Sequence, residues 1–232
     1  MEKLKIQSYP SIREQVYKYI REMILIGEIG PGERLIEGKL SKEIGISRTP
    51  IREALHKLEM ENLIYSIPRV GYVVKNISEE EVKEICEIRV ALETLAAIWA
   101  STNMTPKEID RLEQIILLTE ENIKSNGMEE VIKLDSEFHE IICRTSKSQR
   151  IEEISQSLRD HMLKFRIKAL CVPNIAYRSN EGHRKILHAL KARDPKKIQE
   201  AVRFHLNRTK KDVINVVRKI CQQEIAPIKY SN

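Results

Sequence analysis

The apolar positions in the first third of the chain fall into three helical stripes. Ile12, Val16, Tyr19, Ile20 and Met23 repeat at the spacing of one helix face, with Ser11 and Glu14 at capping-box spacing before them. Gly27 and Gly30-Pro31-Gly32 end that helix, and Glu37 to Ile44 then carries Leu40 and Ile44 four residues apart. After only Gly45-Ile46-Ser47, a third stripe runs through Ile51, Leu55 and Leu58. Two helices joined by so short a glycine-bearing turn must cross steeply, which is the helix-turn-helix arrangement. Leu63 to Ile67 and Tyr72 to Val74 are β-prone runs on either side of Pro68-Arg69-Val70-Gly71, and they predict a small hairpin. Residues 1–75 therefore read as a winged helix-turn-helix of three helices and one hairpin.

Beyond the junction at Asn76-Ile77 the pattern is helical only. Ser78 and Glu81 form a second capping-box pattern, and Val82, Ile85, Ile88, Leu92, Leu95 and Trp99 supply an apolar repeat. Thr105-Pro106 starts another helix, over about 105–125, and further helices are expected at about 128–145, 148–171, 178–192 and 194–222. No repeat of fixed length occurs, which argues against a solenoid. The expected fold class is mainly α, with an antiparallel bundle of about six to seven helices over 76–232.

Composition narrows this without redirecting it. The 232 residues hold 8 Gly, 8 Pro and 5% aromatics, too few turn formers for a β-sandwich, while 41% hydrophobic and 32% charged residues suit a packed core with a solvated surface. The opening Met1-Glu2-Lys3-Leu4-Lys5 lacks a signal-peptide stretch, and no segment is apolar for long enough to span a bilayer, so a cytoplasmic protein without a membrane partner is expected. Cys86, Cys143, Cys171 and Cys221 lie far apart and form no C-x-x-C pair, so buried thiols are expected. The net charge of +6 is unevenly spread, with 13 basic and 10 acidic residues in 1–75, 6 and 16 in 76–140, and 21 and 8 in 141–232. Acidic and basic helices neighbouring one another in one domain would neutralise these blocks; a sequence-indifferent nucleic-acid packager would instead use the basic one.

The third helix carries the first candidate chemistry. Ser47 or Thr49 can cap it, Pro50 is tolerated in its first turn, and Arg48, Arg52 and His56 recur four apart on a flank turned away from the apolar stripe. Arginines at such a helix start can contact phosphates or read guanine in a major groove, although a solvated charged face has the same pattern. Arg69 stands at the hairpin tip, where it can reach a minor groove or the adjacent backbone. The run Gly30-Pro31-Gly32-Glu33-Arg34-Leu35, Leu40-Ser41 and Ile46-Ser47-Arg48-Thr49-Pro50-Ile51-Arg52-Glu53-Ala54-Leu55 closely resembles the DNA-binding domain of GntR-family bacterial transcription regulators. The resemblance implies operator contacts at Ser47, Arg48, Thr49 and Arg52 and a wing at Arg69 to Gly71. Some relatives carry a further arginine in the second helix where this chain has Gly38.

In the second region Asp135 and His139, four apart on one helix, can share a metal ion with His183 and His205, although hydrogen-bonded core residues would show the same spacing. His161 and His188 match no ligand position. Residues 78–222 resemble the FCD effector domain of the FadR subfamily, carried by Ile88-Arg89-x-x-Leu92-Glu93, Asp135-x-x-x-His139, His183-x-x-Ile186, Asp194, Ala201 and His205-Leu206. That resemblance implies a divalent metal (zinc, nickel or manganese) on Asp135, His139, His183 and His205. Open coordination positions would admit a small organic acid effector, whose second charged end Arg89 would hold unless it pairs with Glu93 on the helix surface. It further implies a homodimeric repressor on a palindromic double-stranded operator. A metallo-hydrolase or lyase with Glu137 or Glu140 as base is the rival from another class, and it leaves residues 10–75 without a task.

Overall fold

The computed structural model describes residues 10–224, with side chains through residue 219, so the Cys221 thiol lies outside the described residues. The chain divides into two compact units at Asn76/Ile77.

In the first unit, α1 (Ile12–Ile26) begins where the Ser11 hydroxyl accepts the Glu14 amide and stops at Gly27, whose φ of 85° is left-handed. α2 (Glu37–Ile44) and α3 (Arg48–Met60) follow, joined by the Gly45 turn. Ile51, Ala54, Leu55 and Leu58 of α3 have no solvent exposure, and α1 packs on that face. Ser47 takes the N-cap position of α3 but makes no capping hydrogen bond, so the expected cap is absent there and its hydroxyl is left for other work. β2 (Ile64–Ile67) and β3 (Gly71–Val74) form the hairpin, and β1 (Arg34–Leu35) adds a third antiparallel strand in the order β1-β3-β2. Two residues are too few to show a strand period, and β1 was not foreseen for that reason. Gly71 has a φ of 113°, and a Cβ on it would stand 2.9 Å from the Leu35 carbonyl oxygen, so the β1–β3 pairing requires glycine there.

The second unit is a six-helix bundle among the described residues: α4 (Glu79–Asn103), α5 (Pro106–Lys124), α6 (Met128–Thr145), α7 (Gln149–Leu170), α8 (Pro173–Ala192) and α9 (Pro195–Glu224). Ser78 and Thr105 close complete capping boxes. α8 starts earlier than expected because Pro173 serves as its first-turn proline. The larger correction concerns α4, whose buried face carries Val82, Cys86, Arg89, Val90, Glu93, Ala96, Ala97 and Ala100, whereas Ile88, Leu95 and Trp99 of the apolar repeat are 41, 38 and 43% exposed. The helix turns its polar pair inward and its largest apolar side chains outward. Cys86 and Cys143 are buried as expected, but Cys171 is exposed because it caps the C-terminus of α7 at the surface. The charge blocks meet within the bundle: Arg218 holds Glu79 at 2.7 Å and Lys210 holds Glu87 at 2.5 Å.

Gly71→Ala is expected to lower stability by about 1–3 kcal/mol through left-handed strain and the clash with Leu35. Equilibrium denaturation checks this, and an unchanged midpoint contradicts it.

Candidate nucleic-acid interface and metal centre

Ser47, Arg48, Thr49 and Arg52 are all exposed on the first turns of α3, opposite its buried stripe, and His56 continues the same surface. The two arginines are not free rods. Arg52 donates from Nε to Glu37 Oε1 at 2.9 Å and from Nη2 to Glu37 Oε2 at 2.8 Å. This pairing holds the Glu37 carboxyl below the usual carboxylate range. Arg48 lays its guanidinium over Gly38, where a Cβ would stand 3.4 Å from Nη2. Sequence reasoning did not find Glu37, since a lone glutamate at a helix start has a sufficient explanation in the helix dipole. Arg69 is exposed at the hairpin tip with a φ of 66°.

Inside the bundle, α6, α8 and α9 bring His139, His183 and His205 together, one ligand atom from each lying within 4.8 Å of the others. His183 Nε2 is 3.3 Å from His139 Nε2, and Phe138 stacks on His183 with centroids 4.1 Å apart. His139 Nδ1 lies 2.9 Å from Glu93 Oε2, and Arg89 Nε donates to Glu93 Oε1 at 2.8 Å. A carboxylate on Nδ1 fixes the proton there and leaves the Nε2 lone pair facing the cluster. The Arg89–Glu93 pair therefore exists but is buried, not on the helix surface. A Cβ on Gly182 would come 2.4 Å from His205 Nδ1, so glycine is what lets α8 approach this ring.

Asp135 stands beside the histidines without being grouped with them. Its Oδ1 is 3.6 Å from His183 Nε2 and accepts from Ser179 Oγ at 3.2 Å, while its Oδ2 is held by Arg166 Nη2 of α7. Both partners of this ion pair are 4% exposed. Arg166 was missed because the pattern along α7 does not say which face meets α6. A cavity lined by Arg89, Asp135, His139, Arg166, Ser179 and His205 opens beside the cluster. Arg89 Nη1 and His183 Nδ1 are buried and lack hydrogen-bond partners among the described residues. Elsewhere, Glu137 is held by Arg111 at 2.6–2.7 Å, Glu140 is exposed, His161 lies 2.8 Å from the Ser157 carbonyl oxygen through Nδ1, and His188 is exposed.

Burial dominates the electrostatics. It drives His183 and His205 well below the ordinary histidine range, with each further opposed by a neighbouring ring, and it lowers His139 less because Glu93 opposes it. Burial alone would raise the Glu93 carboxyl; Arg89, His139 and Arg159 outweigh it and hold the group well below its usual value. Three imidazoles held neutral by burial, with a ring nitrogen of each within 4.8 Å of the others, suit a borderline divalent cation such as zinc or nickel, which would displace the proton that His183 Nε2 shares with the His139 Nε2 lone pair.

A winged helix with outward arginines, followed by a helical bundle with a polar cavity, defines a DNA-binding protein with a separate helical domain. Residues 12–74 match the model of the bacterial regulatory proteins of the gntR family, and residues 84–208 match that of the FCD domain. The chain belongs to the GntR family, among the members that carry an FCD domain. It is 31% identical over 195 residues to the HTH-type transcriptional regulator YdhC of Bacillus subtilis, covering 83% of this chain and 87% of that protein. It is 27% identical over 215 residues to the HTH-type transcriptional repressor RspR of Escherichia coli, covering 91% of each. The solved structure of E. coli McbR/YncC superposes with a TM-score of 0.74 at 25% identity, covering 92% of this chain and all of that one. These relatives are transcriptional regulators and not enzymes, so the hydrolase reading is set aside.

The buried histidines give the metal-free protein an acid-sensitive stability. An unfolded chain takes up protons on these rings near the ordinary value of 6.5, whereas the folded chain does so only further down. Stability is therefore full above that value and declines as the pH falls below it. Chelator-treated protein is expected to melt at a steadily lower temperature between about pH 7 and about pH 5.5, and a flat profile contradicts buried neutral rings.

Proposed function

We propose that this protein is a cytoplasmic homodimeric repressor that binds a palindromic operator and is controlled by a small organic acid, bound beside a divalent metal in the bundle. Ser47, Arg48, Thr49 and Arg52 of α3 engage the major groove, with Arg69 and the Gly71 turn at the wing. Two-fold symmetry of the dimer sets the palindromy of the site. The repressor sense is supported by the name of the relative RspR.

The observation that carries the ligand half is the buried Arg89 Nη1, unpaired beside three converging histidines at the edge of a cavity. His139, His183 and His205 would hold zinc, nickel or manganese, with Asp135 as fourth ligand once its carboxylate is shared with or released by Arg166. Such an ion supplies open coordination positions for a carboxylate. Glu93 keeps His139 in the tautomer that ligates, and Arg89 donates to the effector's second anionic end. Effector binding acts by changing the relative orientation of the winged units, which requires that it favour one arrangement over the other.

The dimer is supported by the outward face of α4. Ile88, Leu95 and Trp99 stand on one stripe of that helix, with Leu92 half-buried between them, and large apolar groups so placed seek a partner surface. A second copy of this stripe is the self-complementary partner that two-fold symmetry provides.

Two outcomes are expected. The double variant His183→Ala/His205→Ala loses bound metal by elemental analysis and loses the response of DNA binding to candidate organic acids, whereas unchanged metal content refutes the ligand set. Trp99→Glu is expected to convert a dimer to a monomer in sedimentation with its helicity intact; a variant that remains dimeric places the interface elsewhere.

A further inference from the structure

A guanidinium has two edges that can make paired hydrogen bonds. One is formed by Nε and one hydrogen of Nη2, the other by Nη1 and the second hydrogen of Nη2. In Arg52 the first edge is fully engaged by Glu37, at 2.9 and 2.8 Å. No other hydrogen bond to Arg52 is present among the described residues, so its outer edge is free, and that edge matches the N7 and O6 acceptors of guanine.

The pair needs a reason to exist. Arg52 is 65% exposed and Glu37 24%, and an ion pair so accessible adds little to stability. A carboxylate beside a surface that meets phosphates also weakens binding to any duplex. Glu37 is nonetheless anchored in the first turn of α2, a firmer base than the end of a long side chain, and both of its carboxylate oxygens accept from Arg52. Its neighbour Gly38 lies beneath the Arg48 guanidinium, so both arginines of α3 stand against the first turn of α2.

We propose that Glu37 is a specificity-determining residue: it clamps Arg52 by its inner edge so that the outer edge is presented to a guanine in the major groove, raising discrimination while lowering general affinity. This rests on the reading above that α3 enters the groove.

The test uses full-length protein and a randomised duplex library. Wild type is expected to select a guanine at one position of each half-site, and Arg52→Ala to lose that preference. Glu37→Gln, which replaces one of the two acceptor oxygens by a donor and so cannot match both N–H groups of the inner edge, is expected to lose about tenfold of the guanine preference at that position. Its affinity for random duplex should rise, since a negative charge has gone. The double variant should discriminate no worse than Arg52→Ala alone. An unchanged guanine preference in Glu37→Gln overturns the proposal, as does a parallel fall in selected and random binding, which would make Glu37 a mere support of α2. A wild type without sequence preference defeats the operator reading itself, and that result is distinguishable because Arg52→Ala would then change nothing at any single position.

Discussion

Charged groups taken into a protein interior must find partners there, and the second unit is organised by that constraint. Arg89 and Glu93 lie on the buried face of α4, so each needs an opposite charge and satisfied hydrogen bonds. Glu93 supplies the opposite charge by bridging Arg89 and the Nδ1 of His139, and leaves only Arg89 Nη1 of the pair without a hydrogen-bond partner among the described residues. The tautomer of His139, and hence the direction of its lone pair, follows from a contact made to keep a carboxylate buried. The rotation of α4 follows as well. With its polar pair inward, its apolar stripe of Ile88, Leu95 and Trp99 must face outward, and that exposed apolar surface is a consequence of the interior.

Asp135 and Arg166 form a second pair of the same kind, and here the constraint bears on the proposed metal site. In the absence of a metal the Asp135 carboxylate is neutralised by Arg166, which keeps a buried anion from standing alone beside three imidazoles. A cation held by the histidines would compete with Arg166 for that carboxylate, and an anionic ligand would compensate the positive charge so displaced. The cavity beside them is bordered by both Arg89 and Arg166, so an anion would be electrostatically favoured in it. The winged unit applies the related rule at its surface, where Glu37 constrains a cation without burying it.

Much of this was legible in the chain. The helices and hairpin of the winged unit, the capping boxes at Ser78 and Thr105 and the helices that follow are all local signals, and all formed; of the three stripes, α3 buries its own, whereas α1 leaves Ile12 and Tyr19 exposed and buries Tyr17, Ile24 and Leu25 instead, and α2 buries none of its residues fully. His139, His183 and His205 could be listed as convergent, but only packing shows that α6, α8 and α9 place them together. What was not legible depends on which faces meet. The apolar repeat of α4 pointed to the wrong face, because hydrophobicity alone does not register that Arg89 and Glu93 have partners inside. Arg166 and Glu37 act across helices, on Asp135 and Arg52, and no spacing along one helix reveals a partner on another.

The central claim is that Glu93 holds the proton of His139 on Nδ1 and so aims Nε2 at the cluster. Long-range nitrogen–proton correlation spectra of the chelator-treated protein measure this directly, with Glu93→Gln to assign the ring. The account predicts a neutral His139 protonated at Nδ1; a His139 found protonated at Nε2 would contradict it.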